Sequence, residues 1–198
     1  MIEFSVIVPV YDGVETLSRC LNALLHQSID RNRYEIIVVD DGSRDQTASV
    51  AESILGSNAA RVIRVPHGGP AHARNVGAQA ACGEVILFTD ADCEPAHDWI
   101  ERMAAAFNDP LIAGAKGVYQ TRQKSLVARF VQQEYQDKCD RMLGQPSIDF
   151  IDTYSAGYRR SLFLDNQGFD PTFIVDEDQE LSFRLTALGL RLVFAPAA

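Results

Sequence analysis

Four short apolar runs, separated by segments of a different periodicity, constrain this chain more than any single motif. Phe4 to Val8, Tyr34 to Val39, Arg61 to Val65 and Glu84 to Phe88 are rich in Val and Ile, as strands are. Their apolar character is nearly continuous, which is expected of strands covered on both faces. Between them Val14, Leu17, Leu21, Leu24 and Leu25 recur at helical spacing, and Ala51, Ile54 and Leu55 continue the pattern. Pro70 to Ala81 is a third helical segment, whose small residues suit close packing on a sheet. Asp12 with Glu15, and Ser43 with Gln46, have the spacing of capping boxes, while Gly83 is placed to stop the third helix. Strands alternating with helices in this way predict an α/β fold, a Rossmann-like, mostly parallel sheet flanked by helices.

Ligands of such sheets bind beyond the carboxyl ends of the strands. The unusual polar residues fall there: Tyr11-Asp12, Asp40-Asp41-Gly42-Ser43, His67-Gly68-Gly69 and Asp90-Ala91-Asp92. Four loops should therefore converge on one rim. In extended backbone residues i and i+2 point to one side, so Asp90 and Asp92 can present oxygen ligands together to Mg²⁺ or Mn²⁺. The same tripeptide also suits a solvated turn or a helix cap.

The second half has another texture. Ser125 to Leu143 reads as an amphipathic helix built on Leu126, Phe130, Val131 and Met142, preceded by a strand around Ala115 to Gln120. Ile148 to Tyr154 reads as extended, Ser161 to Asn166 as a short helix, and Glu177 to Leu188 as a longer one with Leu181, Leu185 and Leu188 as its apolar positions. Without an internal repeat or low-complexity linker, the 198 residues are expected to form one domain.

Several function classes are disfavoured. A net charge of −9 repels nucleic-acid phosphates, so no nucleic-acid partner is expected. Cys20, Cys82, Cys93 and Cys139 form no Cys-x-x-Cys pair, which argues against structural zinc and disulfides and fits a reducing cytoplasm. The start, Met1-Ile2-Glu3-Phe4, lacks a basic leader, and no apolar run approaches the ~20 residues that span a bilayer. Neither a Gly-x-Gly-x-x-Gly fingerprint nor a Gly-x-x-x-x-Gly-Lys phosphate loop occurs, which disfavours a dinucleotide-dependent oxidoreductase and a phosphoryl-transfer enzyme. His26, His67, His72 and His97 lack metal-ligand spacing and read as surface or capping residues, and Trp99 reads as a helix packing residue.

Taken together, Val6 to Asp12, Val39-Asp40-Asp41-Gly42-Ser43, Ala73-Arg74-Asn75-Val76-Gly77, Asp90-Ala91-Asp92 and Glu177-Asp178-Gln179-Glu180-Leu181 resemble the family 2 glycosyltransferases, in that order and over almost the whole chain. The resemblance implies a GT-A fold and an inverting, hexosyltransferase-type transfer from a nucleotide-sugar donor, with UDP as the expected nucleotide and Mn²⁺ or Mg²⁺ as cofactor. Residues 1–95 would be the nucleotide-sugar-binding half and 96–198 the acceptor and catalytic half. Asp92 matches the direct metal ligand, and Asp90 the acid that meets the ribose or the metal. Asp41 matches the acid that reads the base, with Pro9, Val10 and Tyr11 as walls, although Asp-Gly-Ser also suits an Asx-type turn. Arg74 would meet the base or diphosphate, a surface ion pair being the alternative.

Asp178 matches the general base and Glu177 would orient the acceptor or tune Asp178, against the plain preference of acids for helix N-termini. Tyr154 to Arg160 resembles the acceptor-side segment, with Gly157 allowing close backbone approach and Arg159 or Arg160 reaching a phosphate. The acceptor would be a saccharide, a lipid-linked intermediate or a small molecule. Chains of this family commonly continue beyond the strand matching Leu190 to Phe194, so a C-terminally truncated catalytic domain is expected. The location expected is cytoplasmic, with peripheral association at the inner membrane face compatible with the sequence. The competing reading is a nucleotide-sugar-binding module without autonomous transfer.

Overall fold

The computed structural model describes residues 1–56, 60–121, 123–173 and 175–198. Among these, the strands β1 (Phe4–Val10), β2 (Tyr34–Asp40), β3 (Ala60–Arg64), β4 (Val85–Phe88), β5 (Ile112–Lys116), β6 (Ala156–Arg159) and β7 (Arg191–Phe194) form one sheet in the order β3-β2-β1-β4-β6-β5-β7. All neighbours are parallel except β6, which runs antiparallel to β4 and β5. The helices are α1 (Val14–Leu25), α2 (Thr47–Leu55), α3 (Pro70–Ala80), α4 (Trp99–Ala106), α5 (Leu126–Met142), α6 (Arg160–Asp165) and α7 (Glu177–Ala187).

The sheet is buried on both faces, as its unbroken apolar strands require. Phe4, Val6, Val8 and Val10 of β1 join Leu17, Leu21, Leu55, Ile100 and Met103 in one core, while Ile7 joins Ala71, Ala73, Phe163, Leu181 and Leu185 in the other. Small residues bring α3 close to the sheet: a Cβ on Gly77 would stand 2.4 Å from Ile7 Cγ2.

Helix starts differ from the sequence expectation in an instructive way. Glu15 and Gln46 do not close capping boxes, because the first two loops cap each other across the sheet. Gly13 N–H donates to Thr47 Oγ1 at 2.9 Å, Asp12 N–H to Ser43 Oγ at 2.9 Å, and Arg44 N–H to Asp12 Oδ1 at 2.7 Å. Gly83 does not stop α3 either. The chain turns extended at Ala81, and a Cβ on Gly83 would stand 2.7 Å from the Phe4 backbone carbon, so this glycine serves close strand approach.

In the second half, β5 ends at Lys116, before Tyr119 and Gln120, because Gly117 N–H turns to the Ser155 carbonyl and Val118 N–H to that of Ala198. The stretch read as extended up to Tyr154 ends in a 3-10 turn over Thr153–Ser155. The apolar stripe expected to hold α5 inward points mostly outward: Leu126, Phe130 and Val131 are exposed and Met142 alone of the four is partly buried. Leu188, past the end of α7, is likewise exposed.

Candidate active site

The expected convergence of loops is present at the carboxyl ends of β1 to β4. Asp40 Oδ1 accepts the Ser43 N–H at 3.0 Å, an Asx-type turn that Gly42 completes with φ 80°; a Cβ there would stand 2.9 Å from His67 N. Asp41 is buried, and its two carboxylate oxygens accept the N–H groups of Gly68 and Gly69, each at 2.9 Å. It therefore ties the loop after β2 to the loop after β3. His67, read from sequence as a surface or capping residue, belongs to the same cluster: its Nδ1 lies 2.8 Å from Asp41 Oδ2, and its ring stacks on Tyr11 with centroids 4.3 Å apart.

Of the three proposed walls, Tyr11 is exposed. Pro9 and Val10 are buried in β1, Pro9 lying beyond the last residue that β1 pairs with β4, where its missing N–H breaks no ladder bond on that side.

Arg74 is neither a free cation nor a surface ion pair. It is buried on α3, donating from one guanidinium nitrogen to Asp90 Oδ1 at 2.8 Å and from the other to Glu177 Oε1 at 2.7 Å. Charge-assisted bonds of this kind are stronger than neutral ones, and a buried guanidinium demands them. The bridge joins residues far apart in sequence and sets the start of α7 against the acid pair after β4.

Asp90 is partly exposed and Asp92 exposed, and among the described residues neither Asp92 carboxylate oxygen accepts a hydrogen bond. Ligand atoms of Asp90, Asp92 and Cys93 all lie within 4.8 Å of one another, a spacing a single cation can span. Cys93 was not singled out from the sequence, because a lone cysteine beside two acids carries no ligand spacing. Burial, and then the two neighbouring carboxylates, push its thiol up to about 11.

Glu177 is buried and Asp178 half-buried on the first turn of α7, after Asp176 in a left-handed conformation with φ 64°. Burial raises the Asp178 carboxyl above the ordinary carboxylate value; the Thr153 N–H bond opposes this, and Glu177 and Asp152 add to it. Tyr154, which follows Thr153, lines a cleft of about 480 Å³ that also takes in Asp92, Cys93, Trp99 and Tyr119. That size suits a small-molecule site, typically about 300–1,000 Å³. Tyr119, Tyr135 and Tyr154 contact one another with centroids 5.1 to 5.5 Å apart, a cluster that their wide sequence spacing concealed. Trp99 packs as expected, buried, with its indole N–H on Ser155 Oγ at 2.9 Å.

The acceptor-side expectations for Gly157 and Arg159 do not survive the topology. Since β6 is antiparallel to β4, Ala156 pairs with Phe88 near the rim while Arg159 pairs with Val85 at the far end. There Arg159 donates to the carbonyls of Ile112, Phe107 and Asp109, and Arg160 to that of Ala78. Gly157 permits close approach of core side chains: a Cβ on it would stand 2.8 Å from Leu87 Cδ2.

Residues 5–165 match the sequence profile of the family described as Glycosyl transferase family 2. Among curated relatives, glycosyltransferase AglE of Haloferax volcanii is 39% identical over 100 residues, covering 50% of this chain and 33% of AglE. Mannosyltransferase PcManGT from Pyrobaculum calidifontis, solved with GDP-Man and Mn²⁺, superposes with a TM-score of 0.79 at 24% identity, covering 98% of this chain and 55% of that one. Staphylococcus aureus TarS 1-349, solved with UDP-GlcNAc, gives 0.78 at 24% identity over the whole of this chain and 57% of that one. The fold is GT-A. The chain spans between a third and three-fifths of the length of these proteins.

Proposed function

The chain belongs to glycosyl transferase family 2, and on that premise we propose that it transfers a sugar from a nucleotide-sugar donor to an acceptor hydroxyl, with inversion at the anomeric carbon. The observation that carries this reading is the Arg74 bridge. One buried guanidinium holds Asp90 of the strand-end acid pair and Glu177 at the start of α7, so donor-side and acceptor-side acids share one site.

Asp178, beside that bridge, is the proposed base. A carboxyl raised by burial is better matched to taking a proton from an attacking hydroxyl than an ordinary one. Tyr11 offers an exposed ring to the nucleotide, and Asp41, through the Gly68 and Gly69 amides it holds, shapes the loop around the base. Two carboxylates suit a hard divalent cation, and Asp90 and Asp92 would hold Mn²⁺ or Mg²⁺. When bound, such an ion would neutralise charge developing on a diphosphate leaving group.

PcManGT and TarS were solved with different nucleotides, GDP-Man and UDP-GlcNAc; for this chain UDP is the nucleotide proposed, with a saccharide, lipid-linked or small-molecule acceptor. The four cysteines are unpaired, in keeping with the reducing cytoplasm proposed as its compartment.

Donor binding without autonomous transfer is the second reading, since the described residues supply a rim and a cleft while nothing in their geometry requires turnover. Incubation with a panel of nucleotide sugars and acceptors in Mn²⁺, with product analysis by NMR, separates the two. A β linkage formed from an α-linked donor supports inverting transfer; retained configuration sinks it, and donor binding without product selects the second reading.

A further inference from the structure

Helix α5 is inverted relative to an ordinary surface helix. Its protein-facing side carries Gln132, whose side chain accepts the Thr121 N–H and donates to the Tyr119 carbonyl, together with Tyr135 of the aromatic cluster and the buried Cys139. The opposite side, at spacing i, i+1, i+4 and i+5, carries Leu126, Val127, Phe130 and Val131, exposed by 82%, 73%, 65% and 37%. Single exposed apolar residues are ordinary on any protein, whereas a contiguous apolar arc on one helix marks a contact surface.

Charge is segregated along the same helix. In a chain of net charge −9, residues 110–133 include no Asp or Glu, and Lys124 and Arg129 stand exposed beside the apolar arc. The acids of α5, Glu134, Asp137 and Asp140, all lie in its later turns.

We infer that the first turns of α5 are a docking surface for an anionic lipid bilayer, with the apolar arc at the acyl boundary and Lys124 and Arg129 on the headgroups. The cationic rim selects this occupant. An acidic protein is repelled by an anionic surface except where its charge reverses, so the reversal sets the docking orientation. A second copy meeting this face about a two-fold axis would bring no acidic side chain of residues 110–133 to Lys124 and Arg129, whereas an anionic bilayer supplies that complement. Among the described residues no helix is long and apolar enough to cross a membrane, so contact through α5 is peripheral.

Thr121 and Gln123 line both the groove under the apolar arc and the cleft beside Asp92. Docking through α5 therefore sets the cleft mouth at the lipid surface and points to an acceptor presented there. That consequence rests on the transfer reading; the docking itself does not.

Co-sedimentation with vesicles of phosphatidylcholine, with and without phosphatidylglycerol, tests it directly. The protein should partition onto the anionic vesicles more strongly than onto the neutral ones, and less at high salt. Leu126→Gln with Phe130→Gln should reduce partitioning roughly tenfold or more, since two exposed apolar side chains lose their buried state. Lys124→Gln and Arg129→Gln should each reduce it about fivefold on anionic vesicles alone. All four side chains are exposed, so folding is not at stake, and Phe183→Gln with Leu188→Gln, exposed on or just beyond α7, serves as the apolar control. Equal partitioning of parent and α5 variants, or no partitioning onto anionic vesicles, overturns the proposal. So does a parent dimer that the α5 variants dissociate in the ultracentrifuge, which would assign the face to a second copy. Nucleotide affinity measured on the same variants should not change, which keeps this test separate from that of the transfer reading.

Discussion

Thr153 donates its backbone N–H to Asp178 Oδ2 at 3.2 Å, yet burial still holds the Asp178 carboxyl above its ordinary value. The folded state thus binds this proton more tightly than the unfolded chain does. Its destabilising effect is absent below the unfolded carboxylate pKa, grows as pH rises through the folded one, and is full at neutral pH. Asp178→Asn should therefore raise the neutral-pH thermal midpoint, or leave it unchanged, and the difference from the parent should shift toward the parent on acidification. In the same variant donor binding should persist while transfer falls by ~10²–10⁴-fold. A midpoint loss at pH 7 that disappears in acid, or near-normal turnover, would contradict this assignment.

Arg74→Met should strand Glu177, which is buried, more than Asp90, which water still reaches. Removing one partner of a buried ion pair typically costs ~3–5 kcal/mol. Urea denaturation should show a loss of that order, with Arg74→Met/Glu177→Gln recovering part of it. A loss below ~1 kcal/mol would place the bridge with exposed pairs.

Asp92→Ala should leave folding intact, because the side chain is exposed, and should remove most of the Mn²⁺ dependence of UDP affinity. Titration calorimetry with and without chelator reads this, and undiminished metal dependence in the variant would move the ion elsewhere.

Asp41→Ala should lower stability as well as nucleotide affinity. It leaves the Gly68 and Gly69 N–H groups without their carboxylate, at about 1–3 kcal/mol for each donor left unsatisfied. Thermal shift and calorimetry on one preparation should move together; full UDP affinity in a folded variant would confine Asp41 to holding the loop.

Arg159→Met makes the opposite separation. Its partners, the Ile112, Phe107 and Asp109 carbonyls, lie at the far end of the sheet, so stability should fall with UDP affinity unchanged. Weakened nucleotide binding in a fully folded variant would restore Arg159 to the site.

The parallel core and its rim were legible because unbroken apolar runs have few other uses, and because strand ends deliver whatever polar residues follow them. Asp90, Asp92, Glu177 and Asp178 were proposed on that basis and by resemblance. What Arg74 does was not legible, since its partners lie 16 and 103 residues away and a local window cannot show them. Arg159 was misplaced for one topological reason, the reversal of β6, which carries no mark in its four residues. The inverted face of α5 misled for a related one: helical periodicity shows that an apolar arc exists, not which way it faces.

The mutual capping of the first two loops has a consequence for local motion. The first-turn amides of α1 are closed by Thr47 and Asp45, and the Arg44 N–H of the second loop by Asp12, so undocking either loop costs bonds made by amides of both. The protection of Gly13 and Val14 against hydrogen exchange is thereby coupled to that of Arg44. The loops after β1 and β2 open as one cooperative unit, and a ligand that orders either slows exchange in both.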